Sequence, residues 1–280
     1  MKQFTKFKAF QQLHHQPGTF VLPNAWDSAS AKSFQQNGFK AIGTTSAGIA
    51  MSWGCKDGEN LPFEKLLETL RTIVNSVDVP VSADIEAGCG TSPEEVADHV
   101  RKVIAAGVVG INLEDGTGNP DQPLSDVLLQ AKKIAAIRDL NVPLFINART
   151  DVYWLKAGDP GFRLQSAVER ANLYRQAGAD CIFIPGVEDT ETIVKLRTGI
   201  SGPLNLLAGA STPSLKLLSE IGIERISCGS APFRAGLTLL KKIGEDIIRH
   251  GRFQHMTDDV LSYNDAAEWI HLKNNPKQND

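Results

Sequence analysis

Eight short apolar runs, often rich in β-branched residues, recur along the chain, each followed by a stretch of helical character. They are "TFVLP" (19–23), "KAIGTT" (40–45), "VPVSADI" (79–85), "VVGINLE" (108–114), "PLFINAR" (143–149), "DCIFIPG" (180–186), "PLNLLAG" (203–209) and "IERISCG" (223–229). Runs of this length, bounded by turn residues, read as buried strands. Strands that alternate with helices read as βα units of a parallel sheet. Eight units in about 230 residues predict a (β/α)8 (TIM) barrel. The alternative, a doubly wound open sheet, often carries a glycine fingerprint after its first strand; here that turn reads "PNAWDSAS", without glycine.

Helix punctuation supports this division. "TSPEEVADHV" offers Ser92 as N-cap, Pro93 at the first helical position and Glu95 to close a capping box. "STPSLKLL" is expected to repeat the device with Thr212 and Pro213, and the Ala-Gly pairs at 106–107 and 177–178 mark helix ends. No linker or repeat interrupts the pattern, so residues 1–280 are expected to form a single barrel domain. Outside the eight units lie an N-terminal helix and a helical extension from about residue 231.

Composition narrows the function classes. With 42% hydrophobic and 22% charged residues the chain can bury one large core. A net charge of −3 provides no basic surface for nucleic acid. No run approaches the ~18 apolar residues of a membrane span, and the first residues lack a signal-peptide core. Four scattered cysteines (Cys55, Cys89, Cys181, Cys228) show neither zinc spacing nor a CxxC pair. A soluble protein of the reducing cytoplasm is expected.

The strand ends carry the chemistry. Side chains alternate along a strand. If Val81, Ala83 and Ile85 face the helices, then Ser82, Asp84 and Glu86 face inward. The same phase turns Asn112 and Glu114, Asn147 and Arg149, and Asn205 inward. Polar residues thus gather near the C-terminal ends of several strands, where barrel enzymes place their active sites. Three inward acids against one arginine would repel one another unless a cation intervenes. Oxygen ligands without paired His or Cys favour Mg²⁺ or Mn²⁺ over Zn²⁺. Residues i and i+2 are about 6.6 Å apart while Mg–O bonds are about 2.1 Å, so one acid can bind directly and another through water. Ion pairing at the barrel rim is the structural alternative. Asn205 equally suits bonding inside the barrel, and Trp26, Cys55 and Cys89 suit packing.

"TTSAGIA…KDGE", "SADIEAGCG", "GINLEDG" and "INARTD", in this order and spacing, resemble the isocitrate lyase / phosphoenolpyruvate mutase superfamily, from "VLPNAWD" to the seventh strand. The resemblance implies a (β/α)8 barrel whose last helix is exchanged with a neighbouring subunit, within a homotetramer built as a dimer of dimers. It implies that Asp84 binds Mg²⁺ directly, with Glu86, Glu114 and Asp57 reaching the metal mainly through water. Ser46 and the amides near Ala47 and Gly48 would hold the carboxylate or oxo end of a small carboxylate substrate. Arg149 would neutralise a carboxylate or the oxygen of an enolate-like intermediate, with Asp57, Glu114 and Arg149 as the catalytic set and Asn205 beside the substrate.

The sequence departs from the family in one segment. Where the lyases carry a catalytic cysteine between lysine or arginine and Gly-His, this chain reads "EDGTGNPDQPLSD" (114–126), without Cys, His, Lys or Arg. The mutases place Lys and Asn in this segment; Asn119 is present but no lysine is. Isocitrate and methylisocitrate cleavage and phosphonate chemistry are therefore disfavoured. Oxaloacetate-type decarboxylation is the expected reaction, followed by C–C cleavage of a substituted malate or oxaloacetate. A non-catalytic 2-oxo acid binder and a C–P mutase or hydrolase remain as alternatives.

Overall fold

The computed structural model describes residues 3–271. All eight expected runs are strands. They are β1 (Phe20–Leu22), β2 (Asn24–Ala25), β3 (Ile42–Thr44), β4 (Val81–Asp84), β5 (Gly110–Glu114), β6 (Phe145–Arg149), β7 (Cys181–Ile184), β8 (Leu204–Leu207) and β9 (Arg225–Ser227). The first run supplies β1, and a further short strand, β2, follows just beyond it, separated by Pro23, which has no N–H to continue a ladder. β1 pairs with β9 and β2 with β3, so this broken strand closes a parallel barrel in the order β1-β9-β8-β7-β6-β5-β4-β3-β2.

Helices α1 (Gln3–Leu13), α2 (Ser28–Gln36), α3 (Ser46–Ser52), α4 (Phe63–Ser76), α5 (Pro93–Ala105), α6 (Val127–Arg138), α7 (Arg163–Gln176), α8 (Thr190–Gly199), α9 (Leu215–Ile221), α10 (Ala231–His250) and α11 (Tyr263–His271) complete the chain. α2 to α9 surround the barrel and bury the outward residues of the strands. Ile111, Leu113, Ile146, Ala148, Ile182, Ile184, Leu204 and Leu206 are all buried in this layer. α1 lies across the N-terminal end of the barrel. Its Phe10 joins Phe145, Leu22 and Cys181 in a second apolar cluster, and His14 stacks on Phe145 at 4.0 Å.

Local signals behave as physical chemistry requires, with one exception. The Ser92–Glu95 capping box and Pro93 open α5, and Gly107 and Gly178 follow α5 and α7 with φ of 98° and 109°. α9, however, is capped by Ser214, whose hydroxyl accepts from Leu217 N. Thr212, the expected cap, accepts from Gly209 N instead and belongs to the preceding turn. Either hydroxyl can cap; the chain starts the helix two residues later than Pro213 suggests.

α10 follows the last strand but buries none of its residues, and Leu240 and Ile248 are 65% and 86% exposed. α11 returns to its own barrel. Lys32 Nζ donates to Ile270 O (2.6 Å) and Trp269 Nε1 to Ser33 Oγ (3.3 Å). Between α2 and α11 lies a cleft of about 480 Å³, lined by Trp26, Phe34, Leu261 and Trp269 among others. It stands apart from the polar strand ends. Trp26 packs edge-on against Phe233 at 5.4 Å, a packing role.

Candidate active site

The inward phase expected for the strands brings Asp84, Glu114 and Arg149 to one end of the barrel. The register pairs Glu114 with Arg149, and their side chains meet at 2.6 Å. Asp84 ends β4 and is buried; its Oδ2 accepts from Ser46 N (3.1 Å) and Ser46 Oγ (2.9 Å). Its Oδ1 is also buried but has no hydrogen-bond partner. A buried carboxylate oxygen without a donor is costly unless a further group satisfies it.

Glu86 reaches the site by a different route from the one alternation suggests. β4 stops at Asp84, and Glu86 adopts φ 52°, in the left-handed region disfavoured for side chains. The turn is held by cross-ties from its neighbours. Glu86 Oε2 accepts from Glu59 N (2.6 Å), Glu59 Oε1 accepts from Cys89 N (2.7 Å), and Lys133 Nζ donates to Ala87 O and Gly90 O. The loop carrying Asp57 is thereby fastened to the loop carrying Glu86.

The electrostatics show too many negative charges for one guanidinium. Burial pushes the Glu86 carboxyl up to about 7, helped by Asp84 and Asp57. Desolvation and Asp84 raise Asp57. Burial raises Glu114 well above the carboxylate range, opposed by Arg149 and reinforced by Asp151, Asp84 and Glu86. Burial also works against the charge of Arg149, but Glu114, Asp151 and Asp84 outweigh it, and the guanidinium stays ionised.

The donors expected from α3 are partly spent. Ser46 gives both its amide and its hydroxyl to Asp84, and Gly48 N donates to the Thr45 side chain that caps the helix. The amide of Ala47 is left for another acceptor among the described residues. Asn205 is buried and accepts from Ser227 Oγ (3.1 Å), while its Nδ2 has no partner. Asn119 lies on an exposed turn, where its Oδ1 accepts from Asp121 N. Cys55 and Cys89 are free thiols packed against the core.

Sequence reasoning missed three further residues: Asp151 and Asp115 at this end, and Arg225, which opens β9 nearer the barrel floor. Asp151 grips Arg149 through two bonds, Nε to Oδ1 (2.6 Å) and Nη2 to Oδ2 (3.0 Å). Its position two residues beyond Arg149 was the available signal. Asp115 is fully buried beneath it. Arg225, the bulkiest fully buried side chain, bonds Ser227 Oγ and Asn112 Oδ1 inside the barrel. It shares strand phase with Ser227, so alternation could have placed it there.

Could these residues hold a divalent cation? No group of three or more His, Cys, Asp or Glu side chains among the described residues is arranged to enclose a metal by itself. The unpartnered Asp84 Oδ1, surrounded by carboxylates of raised pKa, suits a different arrangement. One protein oxygen would bind directly, with water and ligand completing the shell, as Mg²⁺ commonly prefers. The donor set therefore fits.

Comparison with known proteins agrees with this architecture. The family model described as phosphoenolpyruvate phosphomutase matches residues 10–248. An uncharacterised protein of Mycobacterium tuberculosis is 39% identical over 82% of this chain and 84% of its own length. 2,3-Dimethylmalate lyase of Eubacterium barkeri is 33% identical over 70% of this chain and 69% of its own. The structure of a phosphonopyruvate hydrolase in complex with oxalate and Mg²⁺ superposes with a TM-score of 0.84, at 24% identity, over 96% of this chain and 95% of that one. At that identity the superposition speaks for the fold. The chain belongs to the phosphoenolpyruvate phosphomutase family, within the isocitrate lyase / phosphoenolpyruvate mutase superfamily.

Proposed function

We propose that this protein is a Mg²⁺-dependent enzyme that acts on a small 2-oxo or 2-hydroxy carboxylate, with oxaloacetate decarboxylation or a related C–C cleavage as its reaction. The observation that carries the reading is the unpartnered, buried Asp84 Oδ1 in a cluster where Glu86, Asp57 and Glu114 are all raised in pKa. The 2,3-dimethylmalate lyase among its relatives supports it.

Asp84 would hold the cation directly, with Glu86, Glu114 and Asp57 bonding its water shell. When bound, the cation supplies positive charge that stabilises electrons arriving on the 2-oxo oxygen. Arg149 would orient the substrate carboxylate beside that oxygen, and the Ala47 amide would donate to it. In decarboxylation the bond from C3 to the departing carboxylate breaks and CO₂ leaves. The bonding pair moves into the enolate of pyruvate, and water protonates C3. No residue of the 114–126 segment is needed as the acid, which suits a segment without Cys, His, Lys or Arg. That same lack favours a second reading, a binder of 2-oxo acids without turnover.

A panel of oxaloacetate, isocitrate, 2-methylisocitrate, dimethylmalate and phosphonopyruvate, assayed with Mg²⁺ and with chelator, tests the proposal. Turnover of oxaloacetate or a substituted malate, abolished by chelator, is expected. Isocitrate cleavage should be negligible, since general acid catalysis typically contributes about 10²–10⁴-fold. Rapid isocitrate turnover, near the typical enzyme value of about 10 s⁻¹, would refute this use of the segment. Binding without turnover of any acid would select the second reading.

A further inference from the structure

Asp115 has no ligand-facing role, yet it is fully buried and accepts four bonds. Its Oδ1 accepts from Asp151 N (2.8 Å). Its Oδ2 accepts from Thr150 Oγ1 (2.8 Å), Tyr174 OH (2.8 Å) and Arg170 Nη1 (3.0 Å). Both residues that follow Arg149 are therefore pinned by one carboxylate, and that carboxylate is held by two side chains of α7. Asp151 in turn makes the paired bonds that fix the Arg149 guanidinium.

The same groups anchor a second element. Arg170 Nη1 also donates to Ser125 O (3.0 Å), and Ser125 N donates to the Asp115 carbonyl (2.8 Å). Ser125 lies at the base of a small hairpin closed by the Gly116–Leu124 bridge and by Thr117 N to Pro123 O (3.0 Å). Beyond that base the hairpin bonds largely to itself and its residues 117–122 are exposed.

We propose that Arg170 and Tyr174 are positioning residues which, through Asp115, fix both the Asp151 grip on Arg149 and the base of the 116–124 hairpin. Carboxylate recognition and hairpin anchoring then depend on one buried node. Charged groups buried without packing advantage cost stability relative to an apolar core. Here their bonds converge on the arginine that faces the site. Asp84 has no hydrogen bond to this node, and the link between the cation and the carboxylate runs only through the Glu114–Arg149 ion pair. The inference rests on Arg149 as the carboxylate-binding group.

The test is calorimetry with Mg²⁺ alone and with oxalate in saturating Mg²⁺, plus amide hydrogen exchange of the hairpin. The variants are Arg170→Met, Arg170→Lys and Tyr174→Phe. Removing a hydrogen bond to a charged group typically weakens an equilibrium by about tenfold or more, so Arg170→Met should lose at least about tenfold in oxalate affinity. Tyr174→Phe, which keeps the ring, should lose less, and Arg170→Lys should recover part of the loss. Mg²⁺ affinity should fall by a smaller factor than oxalate affinity, because Asp84 makes no hydrogen bond to the node. Hairpin exchange should quicken in the same order as oxalate affinity falls. Unchanged oxalate binding in Arg170→Met would overturn the proposal. So would parallel losses of Mg²⁺ and oxalate with faster exchange throughout the barrel, which is the signature of general destabilisation. If Arg170→Met does not fold, Tyr174→Phe decides by the same readouts. A wild type that binds Mg²⁺ but not oxalate would sink the reading of Arg149 itself; in that event unchanged hairpin exchange in Tyr174→Phe would sink the anchoring as well.

Discussion

Asp84 and Glu86 differ in how they are held, and the difference has measurable consequences. Asp84 sits at the end of a strand with one oxygen fixed by Ser46 and the other unpartnered. Glu86 sits on a turn with one oxygen already accepting from Glu59 N. Asp84→Asn should therefore reduce Mg²⁺ affinity by more than about 100-fold, and Glu86→Gln by about tenfold, the scale of losing a group that acts through bound water. Calorimetric titration of both variants checks this; equal losses would remove the distinction between direct and indirect contact. Strand alternation made Asp84, Glu114 and Arg149 legible, because period two is a rigid geometric rule. It could not show that Ser46 spends its donors on Asp84, nor that Asp115 supports Asp151. Those bonds join residues distant in sequence, and they depend on how loops and helices pack.

At the level of elements, the eight βα units were readable from apolar runs and turn residues, whereas details set by competition between neighbours were not. Ser214 displaced Thr212 as a cap, and Pro23 split one strand into two. α1 illustrates a role that sequence period does not disclose, the closing of the barrel floor. Its His14 is buried, donates Nδ1–H to Phe10 O (2.9 Å) in the neutral form, and leaves Nε2 unpartnered. Burial and the charge of Arg225 lower its pKa well below 6.5. The unfolded chain therefore binds a proton that the folded chain refuses, and stability is lost as pH falls below about 6.5. The slope is at most about 1.4 kcal/mol per pH unit for one group. Glu86, raised to about 7, works in the opposite sense over the same range, so the test is the difference between proteins: in denaturant unfolding from pH 7.5 to 5, wild type should lose stability relative to His14→Phe. An unchanged slope in His14→Phe would place the acid sensitivity elsewhere.

On the scale of the whole molecule, α10 is the element least explained by a single chain. None of its twenty residues is fully buried, and beyond Phe233 the helix is largely exposed, while α11 after it packs on α2. An apolar helical face of this size ordinarily finds a partner. We take that partner to be the barrel of a neighbouring copy, in keeping with the helix exchange its family resemblance implies. Sedimentation of the full chain should show an oligomer, expected to be a tetramer. Removal of residues 231–280 should give aggregated or unfolded chain, since it would strip cover from two barrels at once. A folded, soluble monomer after truncation would refute the exchange.

The central claim is that this barrel end, organised by Asp84 and Arg149, performs Mg²⁺-dependent chemistry on a 2-oxo acid. The most direct measurement is the rate of pyruvate formation from oxaloacetate at a series of Mg²⁺ concentrations, for wild type and Asp84→Asn side by side. The variant corrects for decarboxylation promoted by free Mg²⁺ in solution. The expected result is a wild-type rate that saturates with both oxaloacetate and Mg²⁺, and a variant rate equal to that of protein-free buffer. Equal rates for the two proteins, whether above the buffer rate or at it, would contradict the claim.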